Sequence, residues 1–169
     1  MAIEINWVEQ HNKGESYAEI PLLGGNLCIY YFENIINKTE WKIEKQENVS
    51  EIGNQWVIIQ HYLNNPCDQL TINLKKQGSD FRNKVWQEIY KIPIGQTMSY
   101  SALAHQIDSG ARAVANACRD NPFPGIIPCH RVVAVSGLGG FMGQTEGRCL
   151  ELKRKVLAVE ADFVKIGFK

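Results

Sequence analysis

A cysteine and a histidine stand side by side in the segment IIPCHRVV, as Cys129 and His130, directly after Pro128. A cysteine becomes a nucleophile as its thiolate, and because the pKa of an isolated thiol is about 8.5, a nearby imidazole, cation or helix end must assist its ionisation. Neighbours in extended backbone point to opposite faces, so a water is one way to connect sulfur and imidazole. The pair suggests nucleophilic chemistry at Cys129, and the residues leave a buried structural thiol as the open alternative.

A histidine base also needs an acceptor that orients its ring. The C-terminal segment LELKRKVLAVE offers two carboxylates, Glu151 and Glu160, and sequence alone does not choose between them. A zinc deaminase is a poor fit, because its Pro-Cys-x-x-Cys element would require a cysteine where Val132 stands. Cys118, in ACRD, lacks the flanking residues of a caspase nucleophile, so we expect it to pack inside a helix.

Composition places the chain among soluble globular proteins of one or two domains, with 169 residues, of which 44% are hydrophobic and 21% charged. The start, MAIEINWVEQ, has no basic region followed by an apolar run, so we expect no secretion signal. The longest uncharged apolar stretch near the start, residues 20–32, is too short to span a bilayer. The five cysteines are odd in number and scattered, which is typical of free thiols in a reducing compartment. We therefore expect a cytoplasmic protein.

The net charge is zero, but its distribution along the chain is uneven. Residues 1–78 contain 6 basic and 10 acidic side chains, whereas residues 79–169 contain 12 basic and 8 acidic ones. A basic C-terminal half is compatible with a nucleic-acid partner, although an excess of this size also occurs on ordinary solvated surfaces.

The sequence pattern of the N-terminal half predicts β-strands. In AEIPLLGGNLCIYYF, apolar residues flank Gly24-Gly25-Asn26, which predicts a hairpin, and LTINL, starting at Leu70, alternates as a strand does. The segment WVIIQHYL, residues 56–63, is compatible with a helix or a strand. After Gly78 the spacing of the apolar residues changes from a strand-like to a helical pattern. We therefore place a domain boundary between residues 78 and 79.

The sequence pattern of the C-terminal half predicts α-helices. Apolar residues from Phe81 to Tyr90 share one helical face, with Ser79 or Asp80 as N-cap. A short helix beginning at Ser99, a turn at residues 108–110 and the alanine-rich ARAVANACRD form a helix-turn-helix pattern. The last helix is expected to turn Leu150, Val156 and Leu157 inward and Lys153, Arg154 and Lys155 outward.

Together, SYSALA, ARAVANACRDNP, NPFPGIIPCHRVV and KRKVLAVE closely resemble the O6-alkylguanine-DNA alkyltransferases. The resemblance covers residues 79–169 well and the N-terminal part loosely. It implies an α/β (α+β) fold: a small N-terminal ribonuclease-H-like sheet domain, residues 1–78, and a C-terminal winged helix-turn-helix domain, residues 79–169. It also implies DNA repair by irreversible, single-turnover transfer of an alkyl group from O6 of guanine to cysteine.

Carried onto this chain, the resemblance implies that Cys129 accepts the alkyl group and that His130 acts as its water-mediated base. Glu160 would orient the histidine, and Asn121 would brace the active-site turn. Each role is an expectation about these positions alone.

The resemblance also assigns contacts with DNA and with the flipped base. Arg112 would fill the gap that the base leaves, Tyr100 would turn the target phosphate and line the pocket, and the carbonyls of Cys129 and Val132 would receive the guanine amino group. Ala111 and Arg119 complete the expected DNA-binding set.

The implied partner is double-stranded DNA containing O6-alkylguanine, with no cofactor, no membrane and no obligate protein partner. Some relatives hold zinc in the N-terminal domain, but the scattered candidates here predict no metal site: Cys28, Cys67, His11 and His61. A protein that recognises alkylated DNA without reacting with it is the main alternative function, and a helix-turn-helix regulator is the third. After the active-site turn, GGFMGQTEG departs from the family pattern and leaves the wall of the alkyl pocket undefined at residues 141–144.

Overall fold

The structure, a computed structural model, describes residues 3–9, 14–22, 25–43 and 70–165. The chain divides into two compact units, Met1–Gln77 and Gly78–Lys169. The predicted boundary lies one residue after this division. The fold is a mixed α/β fold, as predicted.

The described part of the first unit is a mixed five-stranded sheet. Its strands are β1 (Ile3–Val8), β2 (Ser16–Leu22), β3 (Gly25–Phe32), β4 (Ile35–Lys42) and β5 (Leu70–Lys75). The spatial order is β1-β5-β4-β3-β2, in which β5 runs parallel to both β1 and β4 and the other pairs are antiparallel. The predicted hairpin is confirmed by the pairing of Leu22 with Gly25, while residues 23–24 and 56–63 lie outside the described part of the chain.

The β2–β3–β4 ladder buries different chemistry on its two faces because side chains alternate along each strand. One face is apolar, with Ile20 opposite Leu27 and Leu27 opposite Trp41. The other face is polar although it is also buried: Glu19 pairs with Cys28, and these residues are 3% and 0% exposed.

The second unit begins with helix α1 (Asp80–Tyr90), which starts after Gly78 as its apolar period predicts. Ser79 is the N-cap, and its hydroxyl accepts a hydrogen bond from the Arg82 backbone N–H. Val85 and Ile89 are fully buried, whereas Phe81 is 38% exposed, so the predicted apolar face is right in its centre and exposed at its first residue.

Helices α2 (Tyr100–Gln106) and α3 (Ala111–Arg119) follow as the predicted pair. Ser99 caps α2 by accepting a hydrogen bond from the Ala102 N–H at 3.0 Å. In the connecting turn, Asp108 has a φ of 56°, a left-handed conformation that Asp tolerates better than most residues. The Trp86 indole N–H donates to the Ala117 carbonyl at 2.8 Å and so ties α1 to α3.

A short parallel pair, β6 (Met98–Ser99) and β7 (Val132–Val133), brings the start of α2 beside the Cys-His segment, which forms a single 3₁₀ turn, Cys129–Arg131. Helix α4 (Arg148–Lys165) closes the unit and begins earlier than the apolar pattern suggested. None of the helices in the described ranges has the length and apolar run that crossing a bilayer requires.

Candidate active site

The turn that leads into Cys129 is held by one buried amide. The Asn121 side chain donates from Nδ2 to the Ile127 carbonyl at 2.9 Å, and its Oδ1 accepts from the Phe123 N–H at 3.0 Å. Because Phe123 and Ile127 are both fully buried, the amide satisfies backbone groups that water cannot reach. The turn therefore enters the 3₁₀ segment in a fixed conformation.

The Cys129 thiol lies at the inner end of this turn and is 7% exposed. Burial raises the pKa of Cys129, because a thiolate loses hydration there. The Asn121 side chain, the positive charge of Lys153 and backbone N–H donors act in the opposite direction. The surroundings thus keep a protonated thiol at rest and supply groups that can stabilise a thiolate once the proton has a place to go.

His130 is paired with Glu160 inside the unit, with 2.7 Å between Nε2 and Oε1. An ionised carboxylate can only accept, so Nε2 carries the hydrogen and the neutral ring keeps its lone pair on Nδ1. Nδ1 is buried and has no hydrogen-bond partner among the described residues. Burial lowers the pKa of His130, so the ring is neutral near pH 7 and has one free basic atom.

Glu160 is held from a second side by Arg131, which sequence reasoning did not single out. The Arg131 guanidinium donates from Nε to Oε2 at 2.9 Å and from Nη2 to Oε1 at 2.8 Å, while Nη1 donates to the Ile92 carbonyl at 2.7 Å. Burial alone would raise the pKa of Glu160, but the hydrogen bonds from His130 and Arg131 outweigh it and lower that pKa to about 2. Glu160 therefore stays ionised throughout any proton transfer at His130.

The two candidate carboxylates of the last helix are now distinguished. Glu160 is 7% exposed and contacts the imidazole, whereas Glu151 is exposed in the first turn of α4. Of the two, Glu160 is the carboxylate whose position fits the predicted role of orienting the histidine ring.

The expectation that Lys153 points outward is wrong. Lys153 is 0% exposed, and its Nζ donates to the carbonyls of Val132, Leu138 and Gly140 at 2.7, 2.7 and 3.1 Å. Burial lowers the pKa of Lys153 to about 8. The outward assignment is right for Arg154 and Lys155, which are exposed.

A cavity of about 280 Å³ opens in front of Cys129. Tyr100 and Cys118 line it together with Cys129, and the other side is formed by residues 140–145. Cys118 is a buried residue of α3, as expected, and is 8% exposed. It also lines this cavity. The Tyr100 hydroxyl donates to the Gly140 carbonyl at 3.2 Å, and burial raises the pKa of Tyr100, so the phenol remains protonated.

The residues expected to contact DNA lie on or near α3. Arg112 is exposed in its first turn, directly after Ala111. Arg119, at the end of the helix, is also exposed and lines the cavity, where its Nε lies 3.4 Å from Asp120 Oδ1. Val132 has its carbonyl engaged by Lys153, and a carbonyl oxygen can accept a second hydrogen bond.

Two residues of the site, Lys153 and Arg131, were not predicted from the sequence, and the reasons differ. Lys153 lies on the buried stripe of α4 with Cys149, Leu152 and Val156, so the helical spacing already indicated burial, and its charge led to the opposite prediction. Arg131 follows the Cys-His pair directly, but nothing local indicates that it reaches Glu160, which is 29 residues away in the chain.

The four candidate metal ligands predicted from the sequence all belong to the N-terminal half of the chain. Of the four candidates, His11, His61 and Cys67 lie outside the described residues, and Cys28 is buried in the sheet. Within the described ranges, no three histidine, cysteine or acidic side chains converge as metal ligands would.

Comparisons with known proteins agree with this geometry. The family model described as 6-O-methylguanine DNA methyltransferase, DNA binding domain, matches residues 80–162. A methylated-DNA–protein-cysteine methyltransferase of Metallosphaera sedula is 38% identical over 95 residues, which are 56% of this chain and 58% of that relative. One of the same name from Archaeoglobus fulgidus is 29% identical over 153 residues, covering 89% of this chain and 96% of that one.

Solved structures give the same answer for the fold. The crystal structure of Mycobacterium tuberculosis O6-methylguanine methyltransferase matches with a TM-score of 0.71 and 27% identity, covering 88% of this chain and 94% of that one. The same organism's protein in complex with DNA matches with a TM-score of 0.66 and 26% identity over 86% of this chain and 93% of that one. With a matching family model, named relatives and matching structures, the chain belongs to the O6-alkylguanine-DNA alkyltransferase family, also called the methylated-DNA–protein-cysteine methyltransferases.

Proposed function

We propose that this protein repairs DNA by moving an alkyl group from O6 of guanine to the sulfur of Cys129. The observation that carries the proposal is a cavity lined by Cys129, followed in the chain by a buried histidine whose Nε2 is fixed by Glu160 and whose Nδ1 has no hydrogen-bond partner in the described part of the chain. Such an arrangement can deprotonate a thiol at the moment when an electrophile occupies the cavity.

The transfer is a direct displacement. The Cys129 proton passes through a water to His130 Nδ1, and Glu160 stabilises the imidazolium that forms. The thiolate attacks the alkyl carbon, a carbon–sulfur bond forms, and the carbon–oxygen bond breaks with its electron pair going to O6. The His130 imidazolium returns the proton through water to the guanine, which is thereby restored. A thioether is a poor leaving group, so each molecule reacts once and needs no cofactor.

Binding of the base follows from groups at the edge of the cavity. The carbonyls of Cys129 and Val132 would accept hydrogen bonds from the guanine amino group, with Tyr100 lining the site. Asn121 keeps the active-site turn in register. Because the alkyl carbon must reach a thiol that is buried in the cavity, the nucleotide must leave the base stack, at a cost of a few kcal/mol.

The partner is double-stranded DNA containing O6-alkylguanine, bound by a C-terminal unit of the winged helix-turn-helix type. The N-terminal sheet unit is of the ribonuclease-H-like type. In the C-terminal unit, Ala111 presents little side-chain bulk, which suits close approach of α3 to a groove, and Arg112 and Arg119 supply positive charge. Arg112 is the side chain we assign to the gap left by the flipped base.

The test is mass spectrometry of the protein mixed with excess duplex carrying one O6-methylguanine. We expect one methyl group per molecule, located on Cys129, with no further turnover. Cys129→Ser should take up no methyl group while keeping its affinity for the duplex. Tight lesion binding by the wild-type protein without modification would favour the alternative, a protein that recognises alkylated DNA for another pathway.

Arg112 can be tested separately from the chemistry. Arg112→Ala should slow the reaction with duplex about tenfold and leave the reaction with a single-stranded lesion nearly unchanged, because only the duplex requires flipping. Lys155→Ala, which removes an exposed cation from α4, is the matched control. Equal losses on both substrates would remove the proposed role of Arg112.

A further inference from the structure

One part of the cavity wall is a two-residue hairpin turn at residues 141–144. Phe141 and Gln144 exchange both backbone hydrogen bonds, at 2.8 and 2.9 Å. The two central residues, Met142 and Gly143, have φ values of 52° and 77°, as a type I′ turn requires. Met142 is therefore a non-glycine residue in a left-handed conformation, and it is one of the residues that line the cavity.

The backbone of this wall is held in place on several sides. Phe141 is 5% exposed and anchors the start of the turn. The Gly140 carbonyl before it accepts hydrogen bonds from both Tyr100 and Lys153. A Cβ added at Gly143 would lie 3.7 Å from Arg119 Cδ, so the far side of the turn packs against the end of α3. The backbone cannot move back easily, which leaves the Met142 side chain as the adjustable part of the wall.

The volume of the cavity sets a scale for the part of a ligand that it can enclose, because the cavity is open to solvent on one side. A cavity of about 150 Å³ is sufficient for benzene. O6-methylguanine has about twice as many heavy atoms as benzene, so by the same scale it needs roughly 300 Å³, close to the 280 Å³ present. O6-benzylguanine has about three times as many heavy atoms and needs roughly 450 Å³, which exceeds the cavity.

We propose that Met142 restricts this protein to small alkyl groups, methyl and ethyl, and that removing its side chain admits bulky groups such as benzyl. The proposal rests on the proposed function, since it concerns which carbon reaches Cys129 sulfur. For a benzyl group the bonds change as for methyl: the benzylic carbon–oxygen bond breaks with its electrons going to O6, and a carbon–sulfur bond forms at Cys129.

The experiment compares alkyl groups of increasing size on one single-stranded oligonucleotide: O6-methyl-, O6-ethyl-, O6-butyl- and O6-benzylguanine. Single strands remove the flipping step. The rate of Cys129 alkylation is measured by mass spectrometry for each and divided by the rate of the same oligonucleotide with a small-molecule thiol, which cancels the intrinsic reactivity of each group. For the wild type we expect the normalised rate to fall at least tenfold from methyl to benzyl.

Met142→Gly should raise the ratio of the normalised benzyl rate to the normalised methyl rate about tenfold or more. Glycine adopts positive φ without strain, so this variant keeps the turn. Glu33→Gly is the matched control, because Glu33 also has a positive φ, of 53°, but lies in the sheet unit. It should leave every rate unchanged.

A flat wild-type series would overturn the proposal, as would a benzyl rate that does not respond to Met142→Gly. The wild-type series tests the size limit on its own, and Met142→Asn, which has a shorter side chain and also tolerates a positive φ, tests the residue if Met142→Gly gives little folded protein. Absence of methyl transfer would refute the proposed function, whereas normal methyl transfer with a flat size series would refute only the role of Met142.

Discussion

The protein buries two clusters that contain similar residue types in its two units. The sheet cluster consists of Tyr17, Glu19, Asn26, Cys28 and Lys42, and the Cys129 cluster consists of Cys129, His130, Arg131, Lys153 and Glu160. Each contains a buried cysteine whose pKa is raised by burial. Each also contains a buried glutamate whose pKa is lowered by hydrogen bonds despite its burial.

The difference lies in what each cluster leaves unpaired. In the sheet cluster, Glu19 accepts hydrogen bonds from Tyr17, Asn26 and Lys42, and the Cys28 thiol lies 3.5 Å from the Tyr17 hydroxyl. Burial and the hydrogen bond to Glu19 raise the pKa of Tyr17, so the phenol keeps its proton at neutral pH. No group there is ready to take a proton from the thiol.

The Cys129 cluster keeps one basic atom free and places the thiol beside an open volume. His130 Nδ1 has no partner among the described residues, and Cys129 lines the cavity. A buried cysteine, glutamate and cation therefore do not by themselves make a reactive site. An uncommitted base and space for a substrate make the difference.

The largest expected effect is a difference in the rate of alkyl transfer between substitutions of Glu160 and of Glu19. Glu160→Gln should slow alkyl transfer by about 10²-fold to 10³-fold, because the neutral amide no longer stabilises the imidazolium and Arg131 is left unpaired beside it. Glu19→Gln should leave the rate within about twofold of wild type. Quenched time courses analysed by mass spectrometry measure both rates, well below the melting temperature of each variant. Equal slowing in the two variants would mean that the effect is a loss of stability and not of chemistry.

The next effect is a difference in the free energy of unfolding between substitutions of Lys153 and of Lys42. Lys153→Met leaves three carbonyl groups without their shared donor in a fully buried position, so we expect the free energy of unfolding to fall by about 3 kcal/mol. Lys42→Met should cost about 1 kcal/mol or less, because the Lys42 side chain is 37% exposed and its ion pair with Glu19 is screened by water. Urea titrations measure both costs. Similar losses would contradict the structural role assigned to Lys153.

The elements that sequence predicted well are local ones. The β2–β3 hairpin, the Ser79 cap and the α2–α3 pair depend on residues close together in the chain, and the expected pattern is present for each. The parallel pairing of β1 with β5 joins residues 3–8 to residues 70–75, and no local pattern specifies such a contact. The strand order therefore came only with the structure.

The same distinction applies to the site. Cys129 and His130 were predicted because they are adjacent and chemically unusual, and Glu160 entered first as one of two carboxylates. The Arg131–Glu160 pair and the buried side of Lys153 depend on how α4 packs against the 3₁₀ turn, which is a tertiary fact. The catalytic roles of these residues remain predictions for the experiments above.

The smallest effect tests what the two clusters have in common. The pKa of Glu160 is about 2 in the folded protein, below its ordinary value of 4.5, so the unfolded chain binds more protons between these values. The stabilisation from Glu160 is thus complete above pH 4.5 and is lost as the pH falls toward 2. Between pH 6 and pH 3 we expect wild type to lose about 2 kcal/mol more than Glu160→Gln does, measured by urea unfolding at each pH.

The pKa of Glu19 is also lowered, so Glu19→Gln should flatten the acid dependence in the same direction. If both substitutions reduce the acid sensitivity but only Glu160→Gln slows transfer, the two carboxylates share their contribution to stability and differ in chemistry. An acid dependence that Glu160→Gln leaves unchanged would mean that Glu160 is not held ionised by His130 and Arg131. In that case the tautomer assigned to His130, and with it the free Nδ1, would lose its physical basis.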